Sequence, residues 1–178
     1  KYTVKNESNG DYALIENNGT ISITSGSFDS ASALFDNKTA GSKITIMSTA
    51  NGTFTAGTNI VKNNLGTVKI SAGTFNKTVD KEYIAAGYTS VNNGDGTFGV
   101  VKVVAQIVRG EETFDYTDFA TAVAALQDND TLIILASVSG GLTIDDGLTV
   151  TLEVYGTLSG GIINNGTLTI RGDGTVEG

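Results

Sequence analysis

The stretch that decides the fold lies between residues 131 and 178, where a strand-like phrase returns at a fixed interval. The phrases are TLIILASV from Thr131, TVTLEVYGTL from Thr149 and TLTIRGDGTV from Thr167, so the two steps are equal and define 18-residue coils. Apolar residues recur at alternate positions in each phrase, which predicts strands with a buried face. A fixed longer period predicts a repeat architecture whose units form a core only by stacking. We therefore predict the coils of a parallel β-solenoid.

The same register assigns the residues that face the core in this second segment, residues 131 to 178. Each coil should contribute two inward-facing positions, separated by one outward residue. These positions are Leu132 and Ile134, Val150 and Leu152, and Leu168 and Ile170.

Residues 1 to 80 carry a looser version of the repeat and form the predicted first segment. Its phrases are GTISITSGSF from Gly19, SKITIMSTANGTF from Ser42 and GTVKISAGTF from Gly66. The coils are longer than the later ones, and we assign the extra length to a loop such as residues 29–41. The predicted inward columns are Ile21, Ile44 and Val68, then Ile23, Ile46 and Ile70, and lastly Phe28 and Phe75, with Phe54 at a widened corner.

Asparagine precedes the strand in several coils, as the pairs Asn17–Asn18, Asn63–Asn64 and Asn164–Asn165. Asparagine tolerates a left-handed backbone and bonds neighbouring amides, so it suits a tight corner. Repeated at one corner of successive coils, its side chains can form a ladder of amide hydrogen bonds. We predict such a ladder here.

Two other segments separate the solenoid segments. Residues 81–104 predict a closing turn followed by a β-hairpin across residues 92–96, because Asn-Gly and Asp-Gly between β-rich flanks are strong hairpin signals. Residues 105–130 predict a strand, or a hairpin, followed by one short capping α-helix. Thr117 is the expected N-cap of this helix, and its apolar face comprises Phe119, Val123 and Leu126.

The composition narrows the classes of function. A net charge of −8 disfavours binding to nucleic-acid phosphates. The sequence also has no apolar run of 18 residues, the length that would predict a membrane-spanning helix. Neither His nor Cys is present, so the usual zinc ligands and the usual general base are missing. The acidic residues are scattered along the sequence and form no obvious cluster. We expect no catalytic, metal-binding or cofactor-binding residues, and we expect the protein not to be an enzyme.

Three longer phrases carry a family resemblance: NNGTLTIRGDGTV from Asn164, YIAAGYTSVNNGDGTFGVV from Tyr83 and FDYTDFATAVAALQDNDTLIILASV from Phe114. They resemble the β-helical repeat modules of secreted and surface proteins from gut-type anaerobic Gram-positive bacteria. The resemblance implies an all-β, right-handed parallel β-helix and an extracellular or cell-surface location. It implies no catalytic residues. This chain has Asp128-Asn129-Asp130-Thr131 where that group often has Asp-Gly-Asp-Thr-Ile, which is a mild departure.

The order of the segments suggests self-assembly. The first segment is followed by a closing hairpin, whereas the second begins with a cap and has none after it. We expect the C-terminal face of one molecule to stack on the N-terminal face of the next, a heterologous contact that builds filaments. The expected interface residues are Tyr2, Val4, Leu168, Ile170 and Val176. The alternative is that these are boundaries within a longer polypeptide.

Two other functions remain open. The chain could be the stalk, or a glycan- or host-binding module, of a bacterial surface adhesin or phage fibre. Outward tyrosines such as Tyr88, Tyr116 and Tyr155 could then stack on sugars. Parallel β-helices also include polysaccharide lyases and hydrolases, but these need clustered carboxylates on one sheet face. The predicted function is therefore structural, with an adhesive or matrix role.

Overall fold

The computed structural model describes residues 3–7 and 10–178. The chain divides into two compact units, Lys1–Lys102 and Val103–Gly178, each with its own hydrophobic core. Each unit is built from stacked coils, in which a strand of one coil pairs in parallel with the equivalent strand of the next. The predicted fold class, an all-β parallel β-solenoid with one short α-helix and an intervening hairpin, is confirmed.

The described residues of the first unit form ten strands in two sheets. The strands are β1 (Thr3–Asn6), β2 (Ile15–Asn17), β3 (Thr20–Ser30), β4 (Phe35–Asn37), β5 (Lys43–Ala56), β6 (Val61–Asn64), β7 (Thr67–Ile70), β8 (Thr74–Phe75), β9 (Tyr88–Asn92) and β10 (Phe98–Lys102), with a 3-10 turn at Lys81–Tyr83. The larger sheet has the order β1-β3-β5-β8-β10-β9, and β7 also pairs with β5. The smaller sheet has the order β2-β4-β6. All pairs among β1 to β8 are parallel.

A column of phenylalanine rings forms the centre of the first core. Phe28, Phe54 and Phe75 occupy matching positions on neighbouring strands, with ring centroids 5.1 Å and 4.7 Å apart. The widened corner predicted before Phe54 is a register shift between β3 and β5 just after Ile23. Stacked rings stabilise a core beyond the effect of their buried area. Because the three rings stack only when their strands are aligned, the column fixes the register of three coils.

The loop expected at residues 29–41 is wrong in part, because it contains β4. Leu34 and Phe35 are fully buried, and Phe35 pairs in register with Ile15 and Val61. The segment therefore forms an additional side of the coil and contributes to the core. Its two apolar residues bury more surface than an exposed loop could.

The predicted amide ladder is present in the first unit, but it runs through Asn17, Asn37 and Asn64. The Nδ2 of Asn17 donates to Oδ1 of Asn37, and the Nδ2 of Asn37 donates to Oδ1 of Asn64, both at 2.9 Å. Asn17 and Asn37 are buried, so these bonds satisfy amides that have lost water. Asn37 belongs to the segment expected to be a loop, and Asn164 has no ladder partner among the described residues.

The second unit contains a hairpin, the helix and three stacked coils. The elements are β11 (Ala105–Arg109), β12 (Glu112–Tyr116), α1 (Phe119–Ala124), β13 (Asp130–Ile134), β14 (Val138–Ser139), β15 (Leu142–Ile144), β16 (Thr149–Val154), β17 (Thr157–Ser159), β18 (Ile162–Asn164), β19 (Thr167–Arg171) and β20 (Thr175–Glu177). The sheets have the orders β12-β11-β13-β16-β19, β14-β17-β20 and β15-β18.

The uniform step expected between coils is wrong for the first coil of this unit. Leu132 pairs with Leu152 rather than with Val150, whereas Leu152 pairs with Ile170 as predicted. The shift is an even number of positions, so every side chain keeps its predicted face of the sheet. The observed register aligns Asp130 with Val150, which puts a carboxylate at an inward position.

Residues 105–130 contain a complete antiparallel hairpin, β11–β12, rather than a single strand. Its strand β11 pairs antiparallel with β13 and so covers the edge of the first coil. The helix α1 buries Phe119 in the second core. The N-cap is Asp118 rather than Thr117, since its carboxylate accepts a bond from the Thr121 N–H at 2.8 Å. The helix ends before Leu126, which is partly buried against the core, as is Val123.

Asp130 forms the main buried ion pair of the second unit. Its side chain is fully buried, and the Arg109 guanidinium donates to both carboxylate oxygens, at 2.9 and 2.7 Å. The N–H of Gln127 donates to the same carboxylate at 2.8 Å. Burial raises the pKa of Asp130, but these hydrogen bonds outweigh it and hold the pKa below its usual value.

The pair makes stability depend on pH. Because the folded-state pKa of Asp130 is lowered, its contribution is complete above the unfolded pKa of about 4 and is lost as pH falls further. We expect wild-type protein to lose more stability between pH 5 and about pH 3 than an Asp130→Asn variant. Denaturant unfolding at each pH measures this difference. Equal losses in the two proteins would contradict the assignment.

Candidate functional site: the uncovered coils

Each unit has one edge covered by an antiparallel hairpin and one edge that no described strand covers. In the first unit, β10 pairs with β8 and carries β9 on its other side. In the second, β11 pairs with β13 and carries β12. The opposite edges are those of β1, β2 and the first half of β3 in the first unit, and of β18, β19 and β20 in the second. We call them the N-terminal coil and the C-terminal coil.

The inward columns of the second unit end in exposed side chains on the C-terminal coil. Leu132 and Leu152 are fully buried, but Ile170 in the same column is 53% exposed. Likewise Leu158 is fully buried, whereas its neighbour Val176 is 42% exposed. Leu168 is partly buried. These residues have the alternation of core residues, and no described strand covers them.

The N-terminal coil shows the same change more weakly. Phe28 is buried, and Val4, its partner on β1, is 39% exposed. Ile21 is only partly buried although the matching Ile44 is buried. Tyr2, the remaining residue of the predicted interface, lies outside the described residues. The other predicted core residues of both units are buried: Ile23, Ile46, Val68, Ile70, Phe75, Ile134 and Val150.

The C-terminal coil also presents unpaired backbone. Strands β18, β19 and β20 each pair on one side only, with β15, β16 and β17. Their outer N–H and C=O groups form a template on which another strand can pair. In the N-terminal coil, β2 pairs only with β4, and β1 covers β3 only at residues 27–30. Residues 20–25 of β3 therefore have an open edge within the described part of the chain.

Polar side chains bind the C-terminal coil to the coil before it. The Arg171 guanidinium forms an ion pair with the carboxylate of Glu153, and Tyr155 donates to the same carboxylate at 3.0 Å. This hydrogen bond and the nearby negative charge raise the pKa of Tyr155. The hydroxyl of Ser159 donates to Glu177 at 3.2 Å. The Arg171–Glu153 and Ser159–Glu177 contacts hold the coil in the same alignment as its neighbour.

The three tyrosines expected to point outward differ in their exposure. Tyr88 and Tyr116 are packed against the two cores, which corrects the expectation that they point outward. Tyr155 is exposed and so is Tyr12, which no sequence pattern singles out. Within residues 3–7 and 10–178, no three Asp or Glu side chains are grouped as metal ligands.

The comparisons with known proteins add no family assignment. No family model, no curated protein and no solved structure matches this chain. Of the helices that the structure describes, none has the length and apolar character to cross a membrane.

Proposed function

We propose that this protein is a structural β-solenoid subunit that associates with further copies of itself through its uncovered coils. The observation that carries the proposal is that columns of buried, inward-facing residues end in exposed side chains on the outermost strands. Ile170, Val176 and Val4 continue buried columns yet stay about half exposed. Covering Ile170 and Val176 would each stabilise the contact by about 1 kcal/mol, and new backbone hydrogen bonds would add to this.

The contact joins unlike surfaces, the C-terminal coil of one copy and the N-terminal coil of the next. Such a heterologous contact leaves a free surface on each copy, so that it extends into a filament if it does not close into a ring. Strand addition to an exposed edge is a general mode of protein association. The product would be a scaffold rather than an enzyme.

The location belongs to the same proposal. The three phrases that begin at Tyr83, Phe114 and Asn164 resemble repeat modules of secreted and surface proteins of anaerobic Gram-positive bacteria. This resemblance supports an extracellular or cell-surface scaffold with an adhesive or matrix role.

The test compares two neighbouring substitutions on β19. Ile170→Asp puts a charge into an inward column, whereas Thr169→Asp puts the same charge on the outward face. We expect wild type and Thr169→Asp to form species that grow with concentration, seen by light scattering and negative-stain microscopy. Ile170→Asp should stay monomeric, because a buried unpaired carboxylate is costly. A wild-type protein that is monomeric at every concentration, or two variants that behave alike, would overturn the proposal.

A further inference from the structure

One corner sequence occurs on both uncovered coils. Asn-Asn-Gly-Thr spans residues 17–20, between β2 and β3, and again residues 164–167, between β18 and β19. The side-chain hydrogen bonds also match, since the Gly19 N–H donates to Oδ1 of Asn17 and the Gly166 N–H donates to Oδ1 of Asn164. The two corners therefore present the same backbone turn to a neighbouring coil.

The amide groups of the two corners have complementary unused capacity. The Nδ2 of Asn17 is fully used, because it donates to Asn37 and to the carbonyls of Gly19 and Lys43. Among the described residues its Oδ1 accepts only the Gly19 N–H, so that it can accept one more bond. In Asn164 the Oδ1 accepts a bond and the Nδ2 donates none to a described residue. The Oδ1 of Asn17 can therefore take a further donor, and the Nδ2 of Asn164 can take an acceptor.

The ladder in the first unit gives the direction in which the two can join. Each asparagine there donates from Nδ2 to the asparagine of the following coil. The free Nδ2 of Asn164 is thus the donor for a coil that follows it, and the free Oδ1 of Asn17 is the acceptor for a coil that precedes it. Inside its own unit Asn164 pairs with Ile144, which offers no side-chain acceptor.

We propose that a second copy of this chain docks by extending the ladder, with Nδ2 of Asn164 donating to Oδ1 of Asn17 in the next copy. This inference rests on the proposed function and adds its register. The pairing places Ile162 beside Ile15, and Ile163 beside Glu16. The equal spacing of the corners then places β19 on the open edge of β3, with these inward pairs: Leu168 with Ile21, and Ile170 with Ile23.

The docking exchanges one edge strand for another. Strand β1 now lies along residues 27–30 of β3, and none of its four residues is buried. Strand β20 follows β19 within one coil, so it reaches the same edge and displaces β1. Val4 then leaves Phe28, and β20 takes the place of β1 along this edge. The net gain comes from β18 and β19, which pair with edges that are open.

A polar ladder at an interface fixes register, because a slipped alignment leaves buried amides unpaired. A cysteine cross-link reads this register, and the chain has no cysteine of its own. Ile163→Cys and Glu16→Cys are made as separate proteins and mixed. Neighbouring residues on paired strands lie about 5 Å apart, within the range for a disulfide. The control mixture replaces Glu16→Cys by Asn18→Cys, which in the same alignment is about 8 Å away.

We expect the first mixture to form intermolecular disulfides at least about tenfold faster than the control. Equal rates in assembled protein would overturn the ladder and leave the proposed function standing. Absence of any assembly by wild-type protein would overturn both.

A second pair of variants tests the hydrogen bond itself. Asn164→Asp keeps the oxygen that accepts the Gly166 N–H, but it replaces the free donor with a second acceptor facing Asn17. Asn165→Asp adds the same charge at the adjacent residue, whose side chain is exposed and lies outside the ladder. We expect Asn164→Asp to raise the concentration needed for assembly by about tenfold or more, and Asn165→Asp to change it less than about twofold. Equal effects of the two substitutions would overturn the ladder.

Discussion

Replacing Asp130 with alanine is expected to lower the free energy of unfolding of the second unit by about 3–5 kcal/mol. The substitution removes a carboxylate that is fully buried and that accepts hydrogen bonds from Arg109 and from the N–H of Gln127. The guanidinium would remain at the edge of the core without its partner, and the space once filled by the carboxylate would be empty. Denaturant unfolding, with amide exchange at β13 and β16 as the local readout, measures the loss.

The matched control is Asp145→Ala. Asp145 is an exposed carboxylate whose side chain makes no hydrogen bond with a described residue, so its removal should change stability by less than about 0.5 kcal/mol. If Asp130→Ala were no more damaging than this control, the ion pair would have no structural role.

Replacing Phe54 with alanine is expected to destabilise the first unit by about 3–5 kcal/mol. The ring is 1% exposed and lies between Phe28 and Phe75, stacked on both. Its removal leaves a cavity at the centre of the core and interrupts the column that aligns three coils. Because interiors are closely packed, the neighbouring rings can fill the space only in part. The same denaturant experiment, read at β3, β5 and β7, measures the effect.

Phe114→Ala serves as the control for loss of a phenyl group. Phe114 lies on β12 with its ring partly exposed, and it contacts the guanidinium of Arg109, 5.6 Å from the ring centroid. We expect a cost of no more than about 1 kcal/mol. Similar costs for the two substitutions would show that the stacked column is not what holds the first core together.

The inward faces of both units can be predicted from the sequence, because period-2 alternation survives an error in register. A uniform step between coils assigns Leu132 the wrong partner, and the side chain still faces the core. The pairing partner, however, depends on how many residues each turn takes up. No local pattern states that number, and so the position of Asp130 within the inward column could not be predicted.

Strand β4, and with it the ladder residue Asn37, could not be predicted for a different reason. The segment around Leu34 follows serines and alanines, which are typical of a loop. A signal is nevertheless present, since two apolar residues, a charged residue and an asparagine occur in the same order in each coil of the first unit. The three copies are Leu14-Ile15-Glu16-Asn17, Leu34-Phe35-Asp36-Asn37 and Ile60-Val61-Lys62-Asn63. A register shift in the third copy places the next residue, Asn64, in the ladder.

The contacts between distant residues could not be predicted at all. Arg109 and Asp130 are 21 residues apart and meet because β11 runs antiparallel to β13. The alternation in the sequence does not specify that pairing. Ile170 and Val176, two of the expected interface residues, lie exposed on edge strands. Their part in an interface stays a prediction.

Hydrogen exchange at residues 162–177, followed as a function of protein concentration, tests the central claim most directly. In dilute solution the outer amides of β18, β19 and β20 should exchange rapidly, because no strand pairs with them. At concentrations where the protein scatters light, their exchange should slow by about tenfold or more, together with that of residues 20–25 of β3. Exchange that stays equally fast at every concentration, while β16 remains protected, would contradict the account.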